Sequence, residues 1–201
     1  MNRFAYRSLL AFAFAAGLVN CTIVPEPTPK DVYRLPPSTV DAAESQAIDT
    51  SLRIRTPATS GELASTRILV LRQGNRVNAY SASRWSAPAP ILWRDHLREA
   101  FGSDGRIRRL SGDDKNVRTT WELNGVLRAF QSEYRNGEPR VVIEFDANLI
   151  DERTREIAAT RKFRVRENVE GRQVPQVVNA FGRAADTTAR QVIDWITHRL
   201  R

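Results

Sequence analysis

The chain has 201 residues, a mass of 22.7 kDa and a formal net charge of +8, from 31 basic and 23 acidic residues. This length suits one ordinary domain with a short tail, and its hydrophobic (41%) and charged (27%) fractions are those of a globular chain. One cysteine and two histidines exclude an internal disulfide framework and a zinc site built from several thiolates, so we expect no metal and no other cofactor.

The first twenty residues are organised like a secretory signal. Arg3 and Arg7 precede an apolar run from Leu9 to Val19, and residues 1–20 contain no acidic residue. Eleven apolar residues in a helix rise about 16 Å, well short of the ~30 Å hydrocarbon core of a bilayer. We therefore predict a signal peptide over residues 1–20 and no permanent transmembrane anchor.

The residues around Cys21 resemble a bacterial lipobox, in which the cysteine thiol receives a diacylglycerol and becomes the first mature residue. Leu18 and Val19 match this pattern, whereas Asn20 stands where a small residue is usual. The alternative is an ordinary signal peptide followed by an incidental cysteine, but the chain's only cysteine lies where cleavage would fall. The resemblance implies lipidation of Cys21 and anchoring through two acyl chains. Thr22, rather than an aspartate, favours the periplasmic face of the outer membrane over the inner membrane.

A proline-rich segment and then short strands follow the cysteine. Residues 21–30 contain three prolines and are expected to form an extended tether, which leaves residues 31–201 as the domain. Turn residues separate β-rich runs at 31–37, 52–55, 68–71 and 77–83. Gln73-Gly74-Asn75 is expected to join the last two runs into a hairpin.

The hydrophobic period changes between residues 89 and 101. Trp93, Leu97, Ala100 and Phe101 fall at positions i, i+4, i+7 and i+8, which is one stripe of a helix. This spacing predicts a helix that begins near the prolines at 88 and 90 and ends at the glycines at 102 and 105.

Strand alternation returns after residue 120. It runs from Trp121 to Leu127, and Phe130 then breaks the register as a β-bulge would. Asn136-Gly137 predicts a hairpin turn, followed by an uninterrupted strand over 141–149 and a third strand over 157–165.

The last segment, about 174–200, has the pattern of a long amphipathic helix, with Asp186 assigned to its polar side. Consecutive antiparallel strands with only two main helices predict an α+β fold. In this fold an antiparallel β-sheet is covered on one face by both helices, including the long C-terminal helix.

The acidic residues give no positive sign of catalysis. Glu144 and Asp146 share the polar face of one strand, where Arg128, Arg161 and Arg164 are expected as cross-strand partners. Sequences typical of nucleophilic serine sites, phosphate-binding glycine loops and HExxH metal sites are absent. We therefore expect the chain not to be an enzyme.

Arg106, Arg108 and Arg109 form the densest basic cluster in the sequence. They are candidates for contact with a partner or with anionic lipid headgroups, and a solvated loop is the alternative. Contact with nucleic acid is not expected in an exported lipoprotein.

Several sequence features, taken in order, resemble one known family. They are YSASRWSAPAP at 80–90, with Arg84 and Trp85 at its centre, Tyr33 in YRLP, the LRI run at 52–54, Leu63 with Arg67-Ile68, and Trp195 near the end. The order and spacing match the ABC-type transport auxiliary lipoprotein family across about 31–200.

The resemblance implies a non-enzymatic periplasmic component that works with an MCE-domain protein, a permease and an ATPase to move lipids or other hydrophobic compounds between the inner and outer membranes. The family has no known catalytic residues that could be assigned to positions of this sequence. Whether the chain forms a homo-oligomer stays open. The competing hypothesis is an outer-membrane lipoprotein that binds lipid or lipopolysaccharide directly, which would need a large apolar cavity between sheet and helices. A tethered adaptor would have a filled core.

Overall fold

The computed structural model describes residues 29–74, 76–113, 115 and 117–201. The predicted signal peptide, Cys21 and most of the predicted tether therefore lie outside the described residues. Within them, eight strands and two α-helices follow in the order β1 (Asp31–Tyr33), β2 (Ile48–Ile54), β3 (Arg67–Leu71), β4 (Val77–Trp85), α1 (Ala89–Asp104), β5 (Ile107–Ser111), β6 (Trp121–Arg135), β7 (Glu138–Asp151), β8 (Glu156–Asn168) and α2 (Val174–Arg199).

The three longest strands form an antiparallel meander in chain order, β6-β7-β8. Asn136 and Gly137 turn the chain between β6 and β7 with positive φ angles of 52° and 82°, the conformation that this pair adopts readily. The β6–β7 register shifts between Leu127 and Ala129, which is the predicted bulge before Phe130. The sequence-based prediction of this hairpin is confirmed.

The other edge of β6 is divided between two shorter strands. β3 runs parallel to the C-terminal part of β6, and β2 runs parallel to its N-terminal part. β5 extends the sheet beyond β2, and β4 and then β1 extend it beyond β3. The sheet is therefore mixed, not antiparallel throughout, because the β2–β5, β2–β6, β3–β6 and β1–β4 pairs are parallel. Side-chain alternation shows which face of a strand is buried but not which strand lies beside it.

Both helices pack on one face of this sheet. α2 lies on β7 and β8, and α1 packs against α2 and β5. The predicted stripe of α1 is buried, with Trp93 and Phe101 fully enclosed. The α+β class, with a long C-terminal helix, is confirmed.

Aromatic side chains fill the space between helices and sheet. Phe181 of α2 stacks on Phe130 with ring centroids 4.7 Å apart, and Trp85 meets Phe181 edge-on at 5.1 Å. Trp93 meets Phe145 of β7 in the same way at 5.8 Å. Such edge and stacked contacts each add to the free energy gained from burial alone.

Candidate functional site

The two carboxylates on β7 are engaged by arginines of the neighbouring strands. Glu144 forms an ion pair with Arg164 of β8, and the Nε of Arg128 lies 2.9 Å from Asp146 Oδ2. Both cross-strand partners were predicted. Arg161, the third expected partner, instead lies on the helix side, because it pairs with Ala147 and its guanidinium lies 5.3 Å from the ring centroid of Phe163.

The sequence-based assignment of Asp186 to the polar side of α2 is wrong. Its side chain is only 7% exposed, and its carboxylate accepts four hydrogen bonds. Ser38 Oγ and Thr39 N–H donate to Oδ1 at 3.1 Å each, Thr39 Oγ1 donates to Oδ2 at 2.6 Å, and His96 Nε2 lies 3.0 Å from Oδ1. This cluster, here called the Asp186 joint, ties the irregular segment after β1 to both helices.

The Asp186 joint resembles a Ser-His-Asp triad in composition only. In a nucleophilic triad the histidine lies between the serine and the aspartate and accepts the serine proton. Here the Ser38 hydroxyl donates to Asp186 itself, and His96 is 3% exposed. Because Asp186 holds Ser38, Thr39 and His96 together, the geometry fits a structural anchor.

Burial lowers the pKa of His96 below its usual value, although the Asp186 carboxylate opposes this effect. As the pH falls below about 6.5, the unfolded chain therefore takes up a proton at this histidine before the folded chain does. The free energy of unfolding then decreases until the pH reaches the lower pKa of the folded state. We expect His96→Gln to flatten the profile of unfolding free energy against pH just below about pH 6.5, because the variant has no imidazole at this position to take up a proton. Urea unfolding at several pH values measures this, and an unchanged slope in the variant would contradict it.

The three arginines of the predicted basic cluster have different surroundings. Arg106 binds Asp104 through Nε at 2.8 Å and Asp194 of α2 through Nη2 at 2.7 Å, which fixes the start of β5 to α2. Arg108 is exposed, and Arg109 forms an exposed ion pair with Asp49 at 2.9 Å. Arg108 and Arg109 lie in β5 and Arg106 directly precedes it. Among the described residues β5 pairs with β2 alone, so it is an edge strand of the sheet.

The residues that carry the family resemblance hold the sheet and helices together. Tyr33 and Trp85 pair in the parallel β1–β4 register, and Trp85 is fully buried. Trp195 of α2 meets Phe163 edge-on with ring centroids 5.7 Å apart. Arg84 is exposed beside β1.

A pair of carboxylates that sequence reasoning missed lies at the start of β6. Burial and a hydrogen bond with the Glu152 carboxyl raise the pKa of Glu122. Arg53 Nη1 lies 3.9 Å from both side chains, and Arg55 Nε lies 3.7 Å from Glu122. The β6–β7 register could have revealed this pair, because it places Glu122 opposite Ile150, and Glu152 follows Ile150 by two residues on the same face of the sheet. The two arginines compensate the negative charge, as in a structural ion network.

The cavities found among the described residues open at the surface and hold about 200–640 Å³. Charged or polar side chains line each of them. The cavity of about 580 Å³ is lined by Arg53, Val117, Arg118, Thr119, Thr120, Glu152, Arg153 and Arg155. The cavity of about 640 Å³ opens at the surface between β8 and the last turns of α2, and is lined by Thr160, Arg161, Trp195, His198 and Arg199. None of these cavities is lined by the aromatic side chains that fill the space between the helices and the sheet, which are Trp85, Trp93, Phe130, Phe145 and Phe181.

No described helix is both long and apolar enough to cross a bilayer. No set of three or more histidine, cysteine or carboxylate side chains among these residues is arranged to hold a metal ion.

A match to a known family model identifies the family of this chain. Residues 33–193 match the model of a family described as the ABC-type transport auxiliary lipoprotein component. The chain belongs to this family. The match runs from Tyr33, the last residue of β1, to Ile193 in α2, and therefore covers β2 to β8, α1 and most of α2.

Solved structures share the fold of this family member. A Xanthomonas campestris protein assigned to the DUF330 family matches with a TM-score of 0.78 and 22% identity, over 84% of this chain and 95% of that one. An uncharacterised protein matches with a TM-score of 0.67 and 15% identity, over 84% and 99%. A hypothetical protein of Chlamydia trachomatis matches with a TM-score of 0.51 and 6% identity, over 76% and 98%. No curated protein matches this sequence.

Proposed function

We propose that this auxiliary lipoprotein is a non-catalytic adaptor, lipidated at Cys21, on the periplasmic face of the outer membrane. Its partner is an MCE-domain protein of an ABC transport system that moves lipids or other hydrophobic compounds between the two membranes. The family match supports the role in ABC-type transport. The lipobox-like residues before Cys21 support the anchor.

The filled core is the observation that favours an adaptor over direct lipid binding. A protein that encloses an acyl chain needs an apolar cavity, and ligand cavities of this kind commonly measure 300–1,000 Å³. Here Trp85 packs against Phe181, and Trp93 packs against Phe145, and all four side chains are buried between the helices and the sheet. The surface, not the interior, is therefore the place where this domain meets other molecules.

We propose the free edge of β5 as the surface that meets the MCE-domain partner. Arg108 and Arg109 are exposed on this strand, while Arg106 anchors it to α2. An unpaired strand edge offers backbone hydrogen bonds to an added strand, and exposed arginines give such contacts charge selectivity.

Lipidation of Cys21 is testable by metabolic labelling. A clickable fatty acid should mark the wild-type protein and not Cys21→Ser, because the thiol is the acceptor of the diacylglycerol. Gel fluorescence at matched protein levels measures this. Equal labelling of both proteins would place the acyl group elsewhere.

The adaptor role is tested by affinity purification from membranes, combined with complementation of an envelope-permeability defect in a deletion strain. The tagged protein should co-purify with an MCE-domain protein. Glu144→Gln, Asp146→Asn and Asp151→Asn should each retain both the partner and full complementation, since an interface distributes its energy over a few anchor residues.

An enzyme would respond differently to the same three variants. Removal of a catalytic acid or base typically costs 10²–10⁴-fold in rate, so one substitution would abolish complementation. Loss of function from one folded, membrane-attached carboxylate variant would overturn the adaptor role. Co-purification of lipopolysaccharide or lipid at one molecule per chain, without an MCE-domain protein, would favour direct lipid binding.

A further inference from the structure

Two hairpin turns lie together at one end of the sheet. β3 and β6 run parallel, with Leu71 beside Glu133, so both strands end on the same side. The β3–β4 turn and the β6–β7 turn at Asn136-Gly137 follow directly. We call this side, formed by residues 72–74, 76–77 and 134–138, the hairpin end.

β1 points away from the hairpin end, so the residues before it approach the domain from that side. β1 runs parallel to β4, with Asp31 beside Ser83, so β1 begins on the side where β4 begins. Six residues separate Ser83 from Val77 at that end, a distance of about 20 Å along a strand. Cys21 is ten residues before Asp31 and therefore lies within about 35 Å of it. An acyl anchor at Cys21 thus keeps the hairpin end within reach of the bilayer surface.

The hairpin end carries positive charge that the domain itself does not neutralise. Arg72, Arg76 and Arg135 are exposed, and none of them forms an ion pair with another described residue. The nearby acidic side chains are already paired, Glu133 with Arg140 at 3.3 Å and Glu138 with Arg172 at 3.0 Å.

A polar cavity of about 380 Å³ lies between the first two of these arginines. Its lining consists of Arg72, Gln73, Arg76, Asn78, Ala79 and Ser81. Arg72 stands over the Tyr134 ring, with 5.7 Å from its guanidinium carbon to the ring centroid, which orients it at this end. Val77, 46% exposed, projects from the same turn. Two guanidinium groups beside polar side chains suit a phosphate, and an exposed valine suits the adjacent acyl boundary.

We propose that the hairpin end is a membrane-docking surface that binds the phosphate headgroups of anionic lipids through Arg72, Arg76 and Arg135. The orientation of the tether rests on the proposed lipidation of Cys21, whereas the binding itself depends only on the folded domain. Docking in this position directs the opposite end of the sheet, which includes β5, away from the bilayer. The 15 residues of β6 place that end about 45 Å from the membrane.

The test is binding of unlipidated protein to vesicles, measured by flotation. Residues 22–201 are suitable because every described strand, helix and core residue lies between residues 31 and 200. We expect binding to phosphatidylcholine vesicles that contain about 30% phosphatidylglycerol and little binding to phosphatidylcholine alone. Raising the salt from 0.1 M to 0.5 M should weaken it, because the Debye length shortens from about 10 Å.

The decisive variant is R72Q/R76Q/R135Q. Each basic residue near an anionic surface contributes about fivefold to partitioning, so the triple variant should bind about 100-fold more weakly. The matched control is R118Q/R153Q/R155Q, which removes the same charge from exposed residues at the opposite end of the sheet. This control should retain binding within about threefold, and circular dichroism verifies that both variants are folded.

Three outcomes would overturn the proposal. They are equal binding to neutral and anionic vesicles, no binding to either, and an equal loss of binding in the control variant. None of these outcomes tests the lipidation of Cys21, because the protein used here, residues 22–201, begins after that cysteine. Conversely, a failure of Cys21 labelling would remove the anchor and leave the vesicle result unaffected.

Discussion

Replacement of Asp186 by alanine is expected to destabilise the domain by about 3–5 kcal/mol, the usual cost of removing one partner from a buried charged network. The change leaves the Ser38 hydroxyl, the Thr39 amide and hydroxyl, and His96 without their common acceptor. His96 is the buried group among them, and a buried donor left unpaired costs about 1–3 kcal/mol. At about 2–4 °C per kcal/mol, the melting temperature should fall by about 6–20 °C, as measured by circular dichroism.

The same helix provides a control. Asp194 lies about two turns later, is 67% exposed and pairs with Arg106 at 2.7 Å. Exposed ion pairs contribute about 0–1 kcal/mol, so Asp194→Ala should lower the melting temperature by less than about 4 °C. Equal losses for the two alanine variants would show that Asp186 acts as an ordinary surface charge.

Replacement of Trp85 by alanine is expected to have an effect of similar size. Trp85 is fully buried between Phe130 and Phe181, with ring centroids 5.9 Å and 5.1 Å away. Truncating a buried tryptophan typically costs about 3–5 kcal/mol through lost burial and the cavity left behind. Thermal unfolding should show a decrease of about 6–20 °C.

Trp85→Phe separates packing from hydrogen bonding. The indole N–H of Trp85 has no hydrogen-bond partner among the described residues, so phenylalanine forfeits contact area but no hydrogen bond. We expect a loss smaller than that of the alanine variant. An unchanged melting curve in Trp85→Ala, together with loss of binding to the proposed MCE-domain partner, would instead make this side chain a binding anchor.

The sequence predicts those parts of the fold whose signals are local. Alternation over 141–149 and the Asn136-Gly137 turn determine the β6–β7 hairpin, and the bulge before Phe130 is visible as a break in alternation. The parallel strand pairs are not local. β2 and β3 occupy the same edge of β6 although their residues pair with residues of β6 more than sixty positions later in the chain. The side-chain pattern of β2 and β3 does not indicate this pairing.

The Asp186 joint shows why a candidate site escapes the pattern of one helix. The apolar stripe of α2 identifies the side that faces the sheet, and Asp186 lies off that stripe. A second contact buries it, because α1 and the segment after β1 cover this flank of the helix. At Gly182 an added Cβ would lie 2.8 Å from the Pro36 side chain, so this segment lies tightly against α2. The covering segment is irregular and has no periodicity from which its position could be predicted.

The parallel pairing of β1 with β4 has a mechanical consequence for an anchored protein. A force applied through the N-terminus pulls β1 along its own axis, so the β1–β4 hydrogen bonds are loaded together in shear and do not open one after another. The Asp186 joint lies immediately behind β1 and would bear the load next, through Ser38 and Thr39. The helical layer therefore reinforces a strand of only three residues against tension between the membrane and a bound partner.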